Sequence, residues 1–204
     1  MIGFFNVSVI PTYISLVSAV IGIFFAISGT PDRAMICLIF SGFCDTIDGM
    51  IARRLIRTEQ ERSFGIQLDS LADLVAFGTL PAVIGYTLGL TRPQHVAVFA
   101  LFVLCALIRL AYFNVTEEER QKTTSERRSH YEGLPVTSDA FILPALFCFS
   151  RLLGDAFGII YCCFMAAIAV LFVIRFRVPK PSALGKLILA VLGVVVLAVL
   201  FIQF

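Results

Sequence analysis

The sequence DTIDGMIAR at residues 45–53, followed by GIQLDSLAD at residues 65–73, decides the fold of this chain. The two stretches hold four aspartates, and each lies within a long apolar segment. An ionised carboxylate in the hydrocarbon of a bilayer is costly unless a cation pairs with it or a metal binds to it. The apolar surroundings therefore indicate a membrane protein, and the aspartates mark its functional site.

The whole chain has the composition of an integral membrane protein. Of its 204 residues, 59% are hydrophobic and only 15% are charged, a balance that is typical of membrane-spanning chains. Most of the apolar stretches approach the roughly 20 residues that a helix needs to cross a bilayer. We predict an all-α fold, a polytopic integral membrane helix bundle of about seven (roughly six to eight) transmembrane helices in a single domain over residues 1–204. The stretches lie near 12–30, 34–54, 66–90, 94–115, 136–153, 155–175 and 183–204.

The basic residues predict how this bundle is oriented. If the amino terminus is cytoplasmic and all seven stretches cross, twelve of the sixteen Lys and Arg residues fall in cytoplasmic loops, as the positive-inside rule requires. The aspartates then open toward the cytoplasm, and we assign the protein to the plasma membrane. Because the basic residues follow the topology, they do not indicate a nucleic-acid partner. Residues 1–11 precede the first crossing and are interpreted as an interfacial segment.

The spacing of the aspartates predicts one shared metal site. Asp45 and Asp48 are three residues apart, and Asp69 and Asp73 are four apart, so each pair lies on one face of its helix. The connection 54–64 lets the two helices form an antiparallel hairpin, which brings both pairs to a similar depth. Four converging carboxylates repel one another, and bound divalent cations remove that conflict. Ligand sets made only of oxygen favour hard ions such as Mg²⁺, Mn²⁺ or Ca²⁺.

Small residues and an arginine beside the aspartates indicate what the metals hold. Gly49 and Ala52 lack side-chain bulk one turn from the first aspartate pair, which lets a ligand approach the helix backbone. Arg53 supplies a rigid fork of donors that suits phosphate oxygens. These features together point to a diphosphate, because two neighbouring metals can neutralise its bridging and leaving oxygens during displacement at phosphorus.

The motif also resembles the signature of a known enzyme family. Asp-x-x-Asp-Gly-x-x-Ala-Arg followed by Gly-x-x-x-Asp-x-x-x-Asp is similar to the signature of the CDP-alcohol phosphatidyltransferases. Eleven residues separate Arg53 from Gly65; this connection is longer than the commonest family spacing and resembles the phosphatidylserine synthase branch. Further blocks that resemble this branch lie at 69–81, 109–114 and 131–138, so the resemblance covers about half of the chain. The first helix differs, because it reads PTYIS from Pro11 where many relatives have Pro-Asn.

The resemblance implies both an activity and a set of roles. It implies the family's fold, a homodimer, and transfer of the phosphatidyl group from CDP-diacylglycerol to L-serine with release of CMP. The motif at 44–73 would hold two divalent cations, Mg²⁺ or Mn²⁺, through Asp45, Asp48, Asp69 and Asp73, with Asp45 and Asp69 bridging both ions. Asp73 would also accept the proton of the serine hydroxyl. The residues implied to contact the CDP-lipid are Gly49, Ala52, Arg53, Gly65, Thr12, Ser15, Thr58, Arg62 and Ser63.

The region 109–138 is our candidate for the serine pocket. Serine offers a carboxylate and an ammonium group as well as its reacting hydroxyl. Arg109, near the inner end of the fourth apolar stretch, is the candidate for the carboxylate. The remaining polar contacts are assigned to Tyr112, Asn114, Glu132, Thr137 and Ser138. Alternatively, Arg109 extends its charge to the membrane interface and Tyr112 belongs to the aromatic belt.

Other interpretations of the same residues stay open. The aspartates can serve helix association, Gly49 and Ala52 can be packing residues, and Arg53 can be a positive-inside anchor. Within the same chemistry, the acceptor can be glycerol phosphate or an inositol compound. A divalent-cation transporter would use the aspartates as a passage but has no need for Arg53, Gly49 or the later blocks. A non-catalytic scaffold would tolerate Asp73→Asn with its fold and partners intact.

Overall fold

Helices account for nearly all of the described chain, because a long apolar run in a membrane can satisfy its backbone hydrogen bonds within a helix. The computed structural model describes residues 3–4, 6–52, 55, 57–123, 130–179 and 183–203. Within these, residues 120–123, 130–132, 177–179, 183–190 and 203 are described by their backbone alone. The predicted all-α fold class is confirmed.

The described helices follow one another with short connections. A 3₁₀ turn, Val7–Val9, leads into the first α-helix, and a π-helical segment, Leu74–Thr79, joins the third to the fourth. Further 3₁₀ turns at Val136–Ser138 and Gly154–Ala156 precede the sixth and eighth. The α-helices are α1 Ile10–Ile27, α2 Pro31–Ala52, α3 Glu59–Asp73, α4 Leu80–Thr87, α5 Pro93–Thr123, α6 Asp139–Phe147, α7 Ser150–Leu153, α8 Phe157–Val173 and α9 Ala183–Gln203.

Among the described residues, five helical segments are long and apolar enough to cross a membrane, so the chain is an integral membrane protein. They are Val7–Ile27, Pro31–Ala52, Glu59–Thr87, Pro93–Glu119 and Ser150–Val173, and two shorter apolar helices occupy Val136–Phe147 and Val191–Ile202. These seven correspond to the seven predicted stretches. One boundary differs: the fifth stretch was expected to end near residue 153, whereas α6 ends at Phe147 and the next span begins at Ser150. Pro144 lies inside α6, where it removes a backbone donor and favours a short helix.

α1 and α2 form a tightly packed hairpin. A Cβ added to Gly22 would lie 2.8 Å from the Cβ of Cys37, so the two backbones are in close contact. The hydroxyl of Ser41 donates to the carbonyl of Ser15 at 3.0 Å, and the hydroxyl of Ser15 donates back to the carbonyl of Ser41 at 3.3 Å. Small residues and interhelical hydroxyl bonds are typical devices for joining membrane helices. This hairpin holds the start of α1 against the aspartates of α2.

The π-helical segment interrupts the third span directly after Asp73. Within it, the hydroxyl of Thr79 donates to the carbonyl of Leu74 at 3.3 Å. The α-helical geometry returns at Leu80, where α4 begins. Single π-helical turns inside α-helices frequently occur at functional sites. Here the segment separates the half of the span that carries the aspartates from the half that packs in the core.

The core lies below the aspartates and is built on aromatic side chains. Phe77, Phe102 and Tyr161 have 0% exposure, and the hydroxyl of Tyr161 donates to the carbonyl of Pro81 at 3.0 Å. A Cβ added to Gly85 would lie 2.7 Å from the ring of Phe99, so α4 packs closely against α5 at this glycine. Because this part of the bundle is apolar and closely packed, it is rigid and supports the neighbouring residues of the site.

A short antiparallel ribbon ties the connection after α5 to the end of α8. Strand β1, His130–Glu132, pairs with strand β2, Arg177–Pro179, so that Tyr131 lies opposite Val178. Gly133 continues the contact: its N–H donates to the carbonyl of Phe176 at 2.7 Å. Gly133 has a φ of +79°, which favours glycine, and a Cβ there would lie 3.0 Å from the carbonyl oxygen of Ile174. The ribbon thereby fixes the start of the segment that leads to α6.

Candidate metal centre and substrate cleft

A capping box fixes where α3 begins and therefore where its aspartates lie. The hydroxyl of Thr58 accepts from the backbone N–H of Glu61 at 3.2 Å, and the carboxylate of Glu61 accepts from the backbone N–H of Thr58 at 2.8 Å. This reciprocal pair satisfies two donors at the start of a helix. Thr58 is thus occupied as a helix cap, and its predicted contact with the CDP-lipid stays a prediction.

Three of the four motif aspartates converge across α2 and α3. Carboxylate oxygens of Asp45, Asp48 and Asp69 all lie within 4.8 Å of one another. Asp48 is buried, with 7% exposure, and the other two are half-buried. The Oδ1 atom of Asp69 is buried and has no hydrogen-bond partner in the part of the chain that the structure describes. A cluster of acidic oxygens with an orphaned buried acceptor fits a hard divalent cation.

Asp73 lies one turn further along α3 and is also buried, with 7% exposure. It does not belong to the three-residue cluster. It nevertheless interacts electrostatically with Asp45, Asp69 and Asp48, so its carboxylate lies near the cluster. Its predicted roles, as a metal ligand and as a base, are compatible with that position and stay predictions.

Thr12 and Ser15, which were predicted to contact the CDP-lipid, make contacts within the protein. The hydroxyl of Thr12 donates to Oδ2 of Asp48 at 2.8 Å, and both residues are buried. The hydroxyl of Ser15 donates to the carbonyl of Ser41. Thr12 therefore orients a residue of the metal cluster, while Ser15 joins two helices. The contact to Asp48 depends on how α1 packs against α2, so the sequence motif alone does not predict it.

A cleft at the end of α2 is lined by two of the described arginines. A cavity of about 320 Å³ is lined by Ala52, Leu55, Arg57 and Arg62. Arg57 also approaches Gly65: a Cβ on that glycine would lie 3.4 Å from its Nη1. Nothing in the sequence motif singles out Arg57. Its position makes it a further candidate to contact a phosphate.

The other residues predicted for the CDP-lipid lie on α2, on α3 or outside the described residues. Gly49 is half-buried on α2, one residue after Asp48. Ser63 is exposed on the first turns of α3. Arg53, the predicted diphosphate contact, lies outside the described residues.

The predicted serine pocket centres on a buried arginine. Arg109 has 5% exposure, its Nε–H donates to the carbonyl of Leu134 at 3.2 Å, and its guanidinium lies 5.9 Å from the centre of the Phe113 ring. The side chain is thus held inside the bundle. Its predicted contact with the carboxylate of serine stays a prediction.

The remaining serine-pocket candidates lie in different surroundings. Asn114 bonds to Ser70, the residue after Asp69: its amide donates to the Ser70 hydroxyl at 2.8 Å, which ties α5 to the metal cluster. The ring of Tyr112 instead lies 5.4 Å from the guanidinium of Arg175. Thr137 and Ser138 are half-buried just before α6, and the side chain of Glu132 is not described.

Comparisons with known proteins agree with the sequence motif. The profile of the CDP-alcohol phosphatidyltransferase family matches residues 5–131, more than half of the chain. A CDP-diacylglycerol–serine O-phosphatidyltransferase of Saccharomyces cerevisiae is 40% identical over 129 residues, which are 61% of this chain and 46% of the relative. One of Helicobacter pylori is 36% identical over 134 residues, which are 63% and 52% of the two chains. An archaetidylserine synthase of Methanothermobacter thermautotrophicus is 28% identical over 182 residues, which are 86% and 72%. The chain thus spans about half the length of the first two relatives.

Proposed function

Because the chain belongs to the CDP-alcohol phosphatidyltransferase family, we propose that it transfers the phosphatidyl group of CDP-diacylglycerol to the hydroxyl of L-serine. The products are phosphatidylserine and CMP. The observation that carries the proposal is the convergence of Asp45, Asp48 and Asp69 within 4.8 Å, at the junction of two antiparallel helices inside the segment that matches the family.

Two divalent cations, Mg²⁺ or Mn²⁺, are the cofactors in this proposal, and Ca²⁺ is the alternative ion. Asp45, Asp48 and Asp69 would hold them, with Asp73 completing the set from one turn further along α3. When bound, such ions neutralise the charge on the diphosphate and stabilise the leaving CMP. Thr12 keeps Asp48 in place through a 2.8 Å hydrogen bond.

The CDP-lipid would occupy the cleft at the end of the α2–α3 hairpin. Gly49 and Ala52 leave room for the diphosphate along α2, and the motif assigns Arg53 to its oxygens. Arg57 and Arg62 add positive charge at the wall of the cavity beside Ala52. This arrangement holds the phosphorus beside the carboxylate cluster while the diacylglycerol extends into the bilayer.

The acceptor hydroxyl would approach from the side of Asp73. As the hydroxyl oxygen forms its bond to the lipid-side phosphorus, the bond from phosphorus to the CMP oxygen breaks, and the hydroxyl proton passes to the Asp73 carboxylate. Arg109, buried in α5, would bind the carboxylate of serine. Asn114 fixes the neighbouring part of the pocket through Ser70.

The names of the relatives favour serine over the other acceptors. The yeast and H. pylori relatives are serine O-phosphatidyltransferases, and the archaeal one is an archaetidylserine synthase. Glycerol phosphate or an inositol compound is the runner-up within the same chemistry. Divalent-cation transport is the alternative function from a different class of protein. A cation passage has no need for the positive charges of Arg57 and Arg62 in the cleft.

The proposal includes a location and an assembly. Twelve of the sixteen basic residues lie on one side of the predicted topology, so we place the site at the cytoplasmic face of the plasma membrane. We also expect a homodimer, as the family resemblance implies.

The decisive experiment uses purified protein with CDP-diacylglycerol, Mn²⁺ or Mg²⁺ and labelled serine. We expect CMP and labelled lipid in equal amounts. Asp73→Asn should abolish this turnover while CDP binding persists, and retained turnover would remove the role of Asp73 as base. Release of CMP with another alcohol but not with serine would leave the family chemistry intact and overturn the acceptor. Cation flux into vesicles without any release of CMP would favour the transporter.

A further inference from the structure

Asp139 is a fully buried carboxylate for which the proposed mechanism so far has no use. Its exposure is 0%, and neither of its carboxylate oxygens accepts a hydrogen bond from the described residues. The backbone N–H of Ala140 is close enough to interact electrostatically with the carboxyl group, but its geometry does not make a hydrogen bond. A buried carboxylate without a partner costs free energy. The cationic group of a bound ligand would supply the partner that the described residues do not.

Three helical segments meet beside Asp139. A Cβ added to Gly42 of α2 would lie 2.7 Å from the Cβ of Ala140 in α6 and 3.9 Å from Cε1 of Phe77 in the π-helical segment. The backbones of α2 and α6 are thus in direct contact at the first turn of α6. Asp139 opens that turn, so the fold brings it to the junction of α2 and α6.

The same junction lies one turn from the candidate metal centre. Asp45 follows Gly42 by three residues, and Asp73 precedes Phe77 by four. Because α2 and α3 run antiparallel, both carboxylates lie toward the same end of the bundle from this contact. Asp139 and Asp73 are close enough to interact electrostatically. Asp139 thus borders the space in which the acceptor hydroxyl would meet Asp73.

We propose that the Asp139 carboxylate binds the ammonium group of the acceptor amino acid, an inference that rests on the proposed function. The ammonium and the hydroxyl of serine sit on adjacent carbons, so a serine whose hydroxyl faces Asp73 presents its ammonium to a neighbouring carboxylate. A divalent metal ion would need several oxygen ligands at this point, whereas an ammonium group can be bound by a single carboxylate.

The segment before α6 serves both charged ends of the acceptor. The carbonyl of Leu134 holds the guanidinium of Arg109, and Asp139 follows Leu134 by five residues. Arg109 matches the carboxylate of serine, and Asp139 matches its ammonium. Because Asp139 has no exposed surface, binding requires a local adjustment where the 3₁₀ turn Val136–Ser138 meets α6; such adjustments are common when ligands bind.

The test compares two acceptors on one protein preparation. They are L-serine and 3-hydroxypropanoate, which is serine without its amino group. The variant Asp139→Asn keeps the size of the side chain and removes its negative charge. We expect it to lower the ratio of kcat/KM for serine to kcat/KM for 3-hydroxypropanoate at least about tenfold, with the KM for CDP-diacylglycerol unchanged. Asp155→Asn, an exposed position, is the matched control and should keep the wild-type ratio.

The ratio separates the possible results. Partial misfolding changes the amount of active protein, but this amount cancels in the ratio of the two kcat/KM values. Asp139→Ala provides a second variant if Asp139→Asn does not fold. An unchanged ratio in a variant that still uses serine overturns the role of Asp139 and leaves the proposed function standing. Wild-type protein that uses both acceptors equally also overturns it. Wild-type protein that does not use serine at all removes the proposed function and this inference with it.

Discussion

Replacing Thr12 by valine should weaken metal binding at the candidate centre. Thr12 donates to Oδ2 of Asp48 at 2.8 Å, and both side chains are buried, with 5% and 7% exposure. A hydrogen bond to a charged group contributes about 1.5–3 kcal/mol, and partners of this kind typically affect metal affinity by about 10- to 100-fold. Valine has nearly the same shape as threonine, so the change removes the donor with little change in packing. We therefore expect the Kd for Mn²⁺ to rise about 10- to 100-fold.

Titration of the purified protein with Mn²⁺, with free ion followed by electron paramagnetic resonance, measures this directly. Thr12→Ser keeps the hydroxyl and should stay near wild type. Ser18→Ala is the matched control, because it removes another α1–α2 hydrogen bond, from Ser18 to the carbonyl of Cys37 at 3.2 Å, away from the aspartates. If Thr12→Val binds Mn²⁺ as wild type does but has a higher KM for CDP-diacylglycerol, the reasoning is refuted and Thr12 acts as a substrate contact.

Three further predictions concern packing, charge and the cofactor. Gly42→Ala should lower the free energy of unfolding by about 1–3 kcal/mol, because the added Cβ would lie 2.7 Å from the Cβ of Ala140. The change is measured as a lower melting midpoint in detergent. Gly158→Ala is the control and should leave the midpoint unchanged, because its nearest neighbour lies at 3.4 Å. Arg57→Gln should raise the KM for CDP-diacylglycerol about three- to tenfold through loss of one contact in the cleft, while Arg92→Gln, an exposed control, leaves it unchanged. A chelator should stop CMP release and added Mn²⁺ should restore it; full activity in the chelator would exclude the metal centre.

The centre of the site was predictable because the geometry of a helix is local. A separation of three residues places Asp45 and Asp48 on one face, and a short connection returns α3 beside them. These rules were sufficient to bring Asp69 into the same cluster, where the oxygens lie within 4.8 Å.

Contacts between distant parts of the chain were not predictable in the same way. Thr12 and Ser15 lie on one face of α1, but only the packing of α1 on α2 directs one hydroxyl to Asp48 and the other to Ser41. Asp139 reads in the sequence as an ordinary acidic residue at the start of a helix. Its complete burial results from the close approach of α6 to Gly42, which a single sequence does not reveal.

The fold class was predictable from hydropathy, whereas two details were not. The apolar run at 136–175 has no strong internal marker, so the end of α6 at Phe147 was not predicted, whereas the predicted turn at Gly154 coincides with the 3₁₀ turn Gly154–Ala156. The ribbon of His130–Glu132 and Arg177–Pro179 has strands of only three residues, too short for any alternating pattern to appear.

The π-helical segment Leu74–Thr79 lets one membrane span serve two environments that an uninterrupted α-helix would not match. Each residue of an α-helix turns the chain by about 100°, so the wider turn changes the azimuth of everything that follows. The stripe of α3 that presents aspartates to the cleft need not continue as the stripe of α4 that meets aromatic rings. The face of α3 that carries the aspartates and the face of α4 that packs in the core can therefore point in different directions, because the π-helical segment between them changes the rotation of the helix.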